Sequence, residues 1–387
     1  MVTSILKRYQ GLLVLSWVYG LSFFSTLFMI MTAGRFAYEL GFITLATLPM
    51  GMQYSGIMCG TIPVSKILMR FGVRQGFIIM QIVGLVASCI LVISVLLQSF
   101  ALLLMASFVM GVFISGQHQI RYMASDTVVA NQRALAVSTI LASSIVGGLF
   151  ASSIANGADF LTNTPFLGIY ITHFVMILFG FIALLMFDIP VNKISIKDYK
   201  LDFSLLKRTG VKPAIVIIAL GYSSMTFLMT AVPIVMSKMG IDIFTSNKAI
   251  GYHALGMALP SLCVGYFIAK TSTHTIVFIG AVLYSTMIFI HLLLEPSIFT
   301  LTLGLVLLGI GWCCIFVSGS TMITEILPTS ERIKIQGFVD FCVFGLTAIA
   351  GLSTGIALYF IGWVGANIVV AIATGIILIM ACILYKK

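Results

Sequence analysis

Long, almost uncharged apolar runs dictate what this chain can fold into. Gln10–Gly34, Leu40–Pro63, Gly76–Leu97 and Ala134–Ala155 each exceed the ~20 residues a helix needs to cross ~30 Å of hydrocarbon. Lipid offers no hydrogen bonds, so each run must satisfy its own backbone as a helix. Of 387 residues, 60% are hydrophobic and only 8% charged, against about 25% in a soluble domain. The pattern predicts an all-α integral membrane protein. Twelve spans fall near 10–33, 40–64, 76–97, 99–120, 134–157, 166–188, 213–237, 248–269, 275–294, 297–319, 336–359 and 362–385. The first run follows Lys7 and Arg8 as a signal peptide would, but it is too long and lacks a small-residue cleavage site. It reads as a retained first span.

The formal charge of +10 is a topology signal rather than a nucleic-acid site. Of the 21 basic residues, all but Arg35, Lys238 and Lys248 fall on one side of these spans. That asymmetry predicts both termini of a multi-pass membrane protein in the cytoplasm. The longest polar stretch, Asp188–Lys212, separates two six-helix halves: 1–188 and 213–387, joined by a linker at 189–212. An internal repeat supports the division. Asp126 and Arg133 follow the fourth span, and Glu325 and Arg332, equally spaced, follow the tenth, at an offset of 199 (325 minus 126). Two parallel six-helix repeats with substrate bound between them at mid-membrane are the major facilitator plan. The loop Ser65-Lys-Ile-Leu-Met-Arg-Phe-Gly-Val-Arg74 resembles that superfamily's cytoplasmic signature, with Ser65 and Met69 in place of its glycine and aspartate. Arg70 and Arg74 remain able to bind the carbonyl ends of helices. Together with Asp126, Arg133, Glu325 and Arg332 they form the predicted cytoplasmic gate.

Ionisable groups inside a span are costly and mark substrate or proton paths. The acids here all fall in loops or within a turn or two of a span end, which argues against a proton-coupled sugar carrier or a cationic-drug exporter. No phosphate-binding glycine loop occurs, and no nucleophile–base arrangement suggests an enzyme. Seven cysteines show neither zinc spacing nor a disulfide framework.

The remaining polar groups are soft and neutral. Met225 and Met229 stand i, i+4 on the seventh span, and His253 and Met257 do so on the eighth, so each pair projects from one helix face. Thioether and imidazole ligands suit Cu(I) and suit Mg²⁺ or Ca²⁺ poorly. Methionine also fills gaps between helices, and that reading stays open. The repeat offset carries Met257 to Met58 and Met229 to the neighbourhood of Met29, so the first half offers further thioethers.

On these motifs the chain resembles the CcoA-like copper importers of the major facilitator superfamily. The resemblance extends to Gln119–Asp126, Arg133–Ser138, His253–Gly265, Leu308–Trp312 and Glu331–Asp340. It implies copper import by alternating access for cuproenzymes such as a haem–copper oxidase, with Met225, Met229, His253 and Met257 as ligands. Copper is then cargo rather than a cofactor. The partners implied are the copper ion, the lipid bilayer and a copper chaperone, with no nucleic acid. Family cysteines are implicated in redox chemistry, which singles out Cys59 and Cys263. An inside-negative potential supplies ~2.3 kcal/mol per 100 mV toward entry of a monovalent cation. Relatives without the metal motifs carry riboflavin. The alternatives are therefore import of a flat organic solute, with Trp17, Tyr54 and Phe316 as stacking surfaces, or an efflux or sensor protein with no copper role.

Overall fold

The computed structural model describes residues 2–126, 133–158, 161–189, 202–327 and 329–385. It divides into two compact units, 1–198 and 199–387. In the first lie α1 (Val2–Glu39), α2 (Leu48–Phe71), α3 (Val73–Leu96), α4 (Phe100–Asp126), α5 (Arg133–Ala158) and α6 (Leu167–Met186). In the second lie α7 (Val211–Lys238), α8 (Ile243–Ala258), α9 (Ser261–Lys270), α10 (Thr273–Leu293), α11 (Ile298–Ile326), α12 (Thr329–Phe360) and α13 (Gly362–Tyr385). Since α8 and α9 form one continuous crossing, these helices make twelve spans. Eleven are long and apolar enough to cross a membrane. The exception is α2, whose interior carries Gln53, Ser55, Thr61, Ser65 and Lys66.

Several boundaries differ from the sequence expectation. The first helix runs on through Arg35 and Glu39, whose side chains pair at 3.0 Å across one turn. Glu325 lies in the last turn of α11, and Arg332 in α12, rather than in a loop. The eighth span begins at Ile243, where Asp242 accepts hydrogen bonds from the Thr245 amide (3.0 Å) and hydroxyl (2.7 Å). This aspartate cap satisfies an amide that the helix leaves open. The span is not an unbroken helix, because proline cannot donate to the carbonyl one turn back. Pro260 therefore divides α8 from α9, and the chain turns there through short-range bonds such as Leu262 N to Leu259 O.

Within each unit the same helices meet. In the first, α2 and α3 pack on α4, α1 packs on α5 and α6, and α3 packs on α6. In the second, α8 and α10 pack on α11, α7 packs on α12 and α13, and α10 packs on α13. Glycines permit the closest of these approaches. A Cβ at Gly111 on α4 would overlap the Gln53 carbonyl on α2, and one at Gly309 on α11 would sit 2.5 Å from the His253 carbonyl on α8. Gln53 and His253 are therefore structural counterparts, 200 residues apart (253 minus 53), while Gly111 and Gly309 are 198 apart (309 minus 111). The offset of 199 found at the loop ends does not hold inside these helices. Met257 is matched by Ile57, not Met58, and the expected pairing of those two thioethers is corrected accordingly.

Polar ties join the outer helices of each unit as well. His173 on α6 meets the Ser88 hydroxyl on α3 at 2.9 Å, and His291 on α10 donates from Nδ1 to the Asn367 amide oxygen on α13 at 3.0 Å. The first joins α3 to α6 and the second α10 to α13, the matching helix pairs of the two units.

Candidate substrate site

The seventh helix is buried almost completely from Ile217 to Val232, as expected of a helix apolar on all sides. Met225 and Met229 lie within this stretch, fully enclosed. Between and beside them the Thr226 and Thr230 hydroxyls are also buried, with no hydrogen-bond partner among the described residues. On α8, His253 is 0% exposed and Met257 is half-buried. The His253 ring is fixed: Nδ1–H donates to the Leu305 carbonyl on α11 at 2.7 Å. A neutral imidazole with its proton on Nδ1 carries a bare lone pair on Nε2, and here Nε2 is buried without a partner among the described residues.

Met225 and Met229 lie on α7, and His253 and Met257 on α8. The helices α7 and α8 touch at few positions, and the neighbour they share is α11. Among the described residues no group of three or more His, Cys, Asp or Glu side chains is placed to hold a metal ion. In the first unit Met29 is fully buried on α1, and Met58 is half-buried on α2. The two cysteines singled out point outward: Cys59 and Cys263 are both exposed, and the Cys263 thiol donates to the Pro260 carbonyl at the kink. The buried thiols are instead Cys313 and Cys314 on α11.

An aromatic cluster joins α7, α11 and α12. Trp312 and Phe316 stack with ring centres 4.8 Å apart and planes inclined by 11°. Tyr222 on α7 meets both edge-on at 5.4 and 5.5 Å, and meets Phe344 on α12 at 5.3 Å. Such geometries suit the ring quadrupole. The Trp312 indole N–H is buried with no acceptor among the described residues. Tyr222, Thr226 and Thr230 follow at i, i+4 and i+8, so the two free hydroxyls continue the stripe that begins at the tyrosine. Of the three stacking residues expected from sequence, Phe316 belongs to this cluster, Tyr54 is buried in the first unit, and Trp17 is exposed on the outside of α1. Trp312 and Tyr222 were not foreseen; aromatic spacing on α11 (312, 316) was the available signal.

One acid is more enclosed than its position suggests. Asp340 on α12 is a buried side chain, 5% exposed, one helical turn from Phe344. The helix starts at Thr329, but its membrane-crossing stretch runs Ile335–Phe360, so Asp340 lies within two turns of the span's end, as expected.

The predicted gate is partly visible. Arg74 donates from Nε to the Leu184 carbonyl (2.9 Å) and from one terminal nitrogen to that of Leu185 (2.8 Å). It also pairs with Asp188 at 2.5 Å. The arginine thus caps the carboxyl end of α6, as charge at open carbonyls favours. Arg70 instead lies over the Phe71 ring. In the second unit the ion pair is Arg208–Glu331, at 2.7 Å, while Glu325 is exposed. The side chains of Asp126, Arg133 and Arg332 lie outside the described residues.

The Major Facilitator Superfamily model matches residues 214–387. Over 340 residues the chain is 28% identical to the riboflavin transporter RfnT of Brucella anthropi, covering 84% of this chain and 82% of that one. It is 26% identical to the MFS-type transporter YddS of Bacillus subtilis, over 82% and 76%. Among solved structures it resembles a POT family transporter bound to 5-aminolevulinic acid (TM-score 0.75, 15% identity, 97% and 95% covered). It also resembles the human organic anion transporter TETRAN (TM-score 0.71, 13% identity, 97% and 98%). The chain therefore has the major facilitator fold, in twelve transmembrane helices.

Proposed function

We propose that a chain of this fold and these similarities is a non-enzymatic secondary transporter of the major facilitator superfamily, importing a flat, neutral organic solute of the flavin type. The observation that carries this reading is the Tyr222–Trp312–Phe316–Phe344 cluster, set beside an indole N–H and two hydroxyls that lack partners among the described residues. Aromatic faces with a few unspent polar groups are what a small-molecule site consists of. The similarity to a protein named as a riboflavin transporter points the same way. The positive-inside bias supports cytoplasmic termini, and the bacterial relatives support residence in a bacterial inner membrane.

Uptake of labelled riboflavin by a transport-deficient riboflavin auxotroph tests it. Trp312→Ala should lower uptake about tenfold or more, since one base–aromatic stack contributes about 1–3 kcal/mol. Wild-type uptake no higher than that of cells with empty vector would sink the flavin reading.

Copper import stays as a second reading on one observation: the bare, buried Nε2 of His253 is also the lone pair a Cu(I) ion would use. Radioactive copper uptake lost in His253→Ala and Met229→Ala, with no riboflavin uptake in wild type, would favour it.

A further inference from the structure

We infer that His253 is a specificity-determining residue of the flavin-type site, where its Nε2 accepts a hydrogen bond from a ring N–H of the solute. The inference rests on the organic-solute reading above and adds to it the edge of the molecule that is read.

Three observations converge. First, the tautomer is set by the protein: Nδ1–H is committed to the Leu305 carbonyl at 2.7 Å, so the ring offers an acceptor and no second donor. Second, that acceptor is fully buried and has no partner among the described residues, a condition that costs stability in the empty protein. Gly309 lets α8 come close enough to α11 for the Leu305 bond to form, since a Cβ there would crowd the His253 carbonyl. The position is built rather than incidental. Third, Leu305 and Trp312 are seven residues apart on α11, a rise of roughly 10 Å, so the carbonyl that orients the imidazole and the Trp312–Phe316 platform stand on one helix, two turns apart. A three-ring heteroaromatic spans that distance. Its rings can lie against the aromatic platform while an imide N–H at its far edge reaches Nε2.

An acceptor-only group makes a sharp demand. A solute that carries N–H at that edge gains a bond, and one that carries a methyl group there leaves the nitrogen unpaired and crowded. Sites built to bond a polar hydrogen reject the analogue that lacks it far better than apolar pockets reject a methylene.

The experiment compares riboflavin with 3-methylriboflavin, whose imide N–H is blocked, in uptake by cells expressing the full chain. Wild type should prefer riboflavin by about tenfold or more. His253→Leu, which keeps the volume and removes the acceptor, should bring the ratio close to one by lowering riboflavin uptake. His253→Gln has an amide oxygen but no fixed orientation, and should retain a ratio severalfold lower than wild type. If His253→Leu does not reach the membrane, the comparison of wild type with His253→Gln decides. Equal uptake of both flavins by wild type, or a preference unchanged in the variants, overturns the role of His253 while leaving flavin transport standing. Uptake of neither flavin overturns the organic-solute reading, and this inference with it.

Discussion

The two units solve the same packing problem with the partners reversed. In the first, Gly84 on α3 faces Phe113 on α4, and Gly116 on α4 faces Met80 on α3. In the second, the counterpart of Gly84 is Tyr284 (284 minus 84 is 200) and that of Phe113 is Gly311 (311 minus 113 is 198). Likewise Met80 becomes Gly280, and Gly116 becomes Cys314. The ring and the gap have changed helices while the helices stay where they were. The exchange gives the second unit something the first lacks: a tyrosine hydroxyl, which donates to the Gly221 carbonyl on α7 at 3.0 Å. That bond ties α10 to the helix bearing Tyr222, Thr226 and Thr230. The second unit also replaces Gln53 by a histidine bonded to α11, and Gly60 by Pro260. The first unit keeps polar ties of its own, Thr32 to Tyr170 and Gln119 to Ser65, both at 3.3 Å, so the two units share an architecture and differ in which helices their polar bonds join.

The largest effect should separate the two glycine contacts. Gly111→Ala forces a methyl group into the Gln53 carbonyl, whereas Gly309→Ala meets the His253 carbonyl at 2.5 Å. Both should destabilise, by about 3 kcal/mol or more for Gly111→Ala and less for Gly309→Ala, read as thermal midpoints of the purified protein in detergent. The reverse order would break the equivalence of these contacts. Next comes the ring exchange itself. Gly311→Phe alone should be strongly destabilising, and adding Tyr284→Gly should restore part of the loss, with a coupling of about 0.5–3 kcal/mol. Simple additivity would deny that the two positions share one space.

A smaller effect sharpens the asymmetry. Tyr284→Phe removes only the hydroxyl and should cost about 1 kcal/mol, and no substitution at Gly84 has an equivalent. At the ends of the helices, Arg74→Ala loses two carbonyl contacts and an ion pair, and Arg208→Ala loses one ion pair. The second change should cost at most about 1 kcal/mol because the pair is exposed, and the first should cost more. Thermal midpoints of the two variants, measured together, check the order. The smallest effect concerns pH. Hydrogen bonds from Thr245 hold the Asp242 carboxyl below its ordinary value, and a depressed carboxylate adds stability that is present above its unfolded value, about 3.9. That contribution disappears as pH falls through the lower folded value. Asp242→Asn should flatten the acid limb of the stability profile slightly, and α2, which begins with a proline in its first turn, has no such dependence to lose.

The spans were legible because a run of apolar residues has one solution in lipid. Register was not. The loop-end pairs Asp126/Arg133 and Glu325/Arg332 suggest an offset of 199, while the helix contacts use 200 and 198, and only touching glycines reveal the difference. Orientation was also hidden. In helices apolar all round, nothing in the pattern says that Trp17 faces outward or that Phe316 faces Tyr222. The burial of Asp340 was hidden for the same reason, since it depends on which face of α12 turns inward. His253 was singled out correctly as unusual, yet its tautomer depends on a backbone carbonyl 52 residues away, which no motif encodes.

The reversal of ring and gap also bears on how such a protein can change over generations. Neither arrangement can be reached from the other by one substitution without a penalty. Replacing the glycine first places two aromatic rings in one volume, and replacing the aromatic first leaves a void, at a cost of about 3–5 kcal/mol for removing a buried ring. Two lineages that settled on opposite choices would therefore be held apart. Exchange of α3 for α10 alone by recombination would set Tyr284 against Phe113, or Gly84 against Gly311. The heritable piece is the pair of helices, and the barrier between its two forms preserves whatever the tyrosine hydroxyl later came to hold.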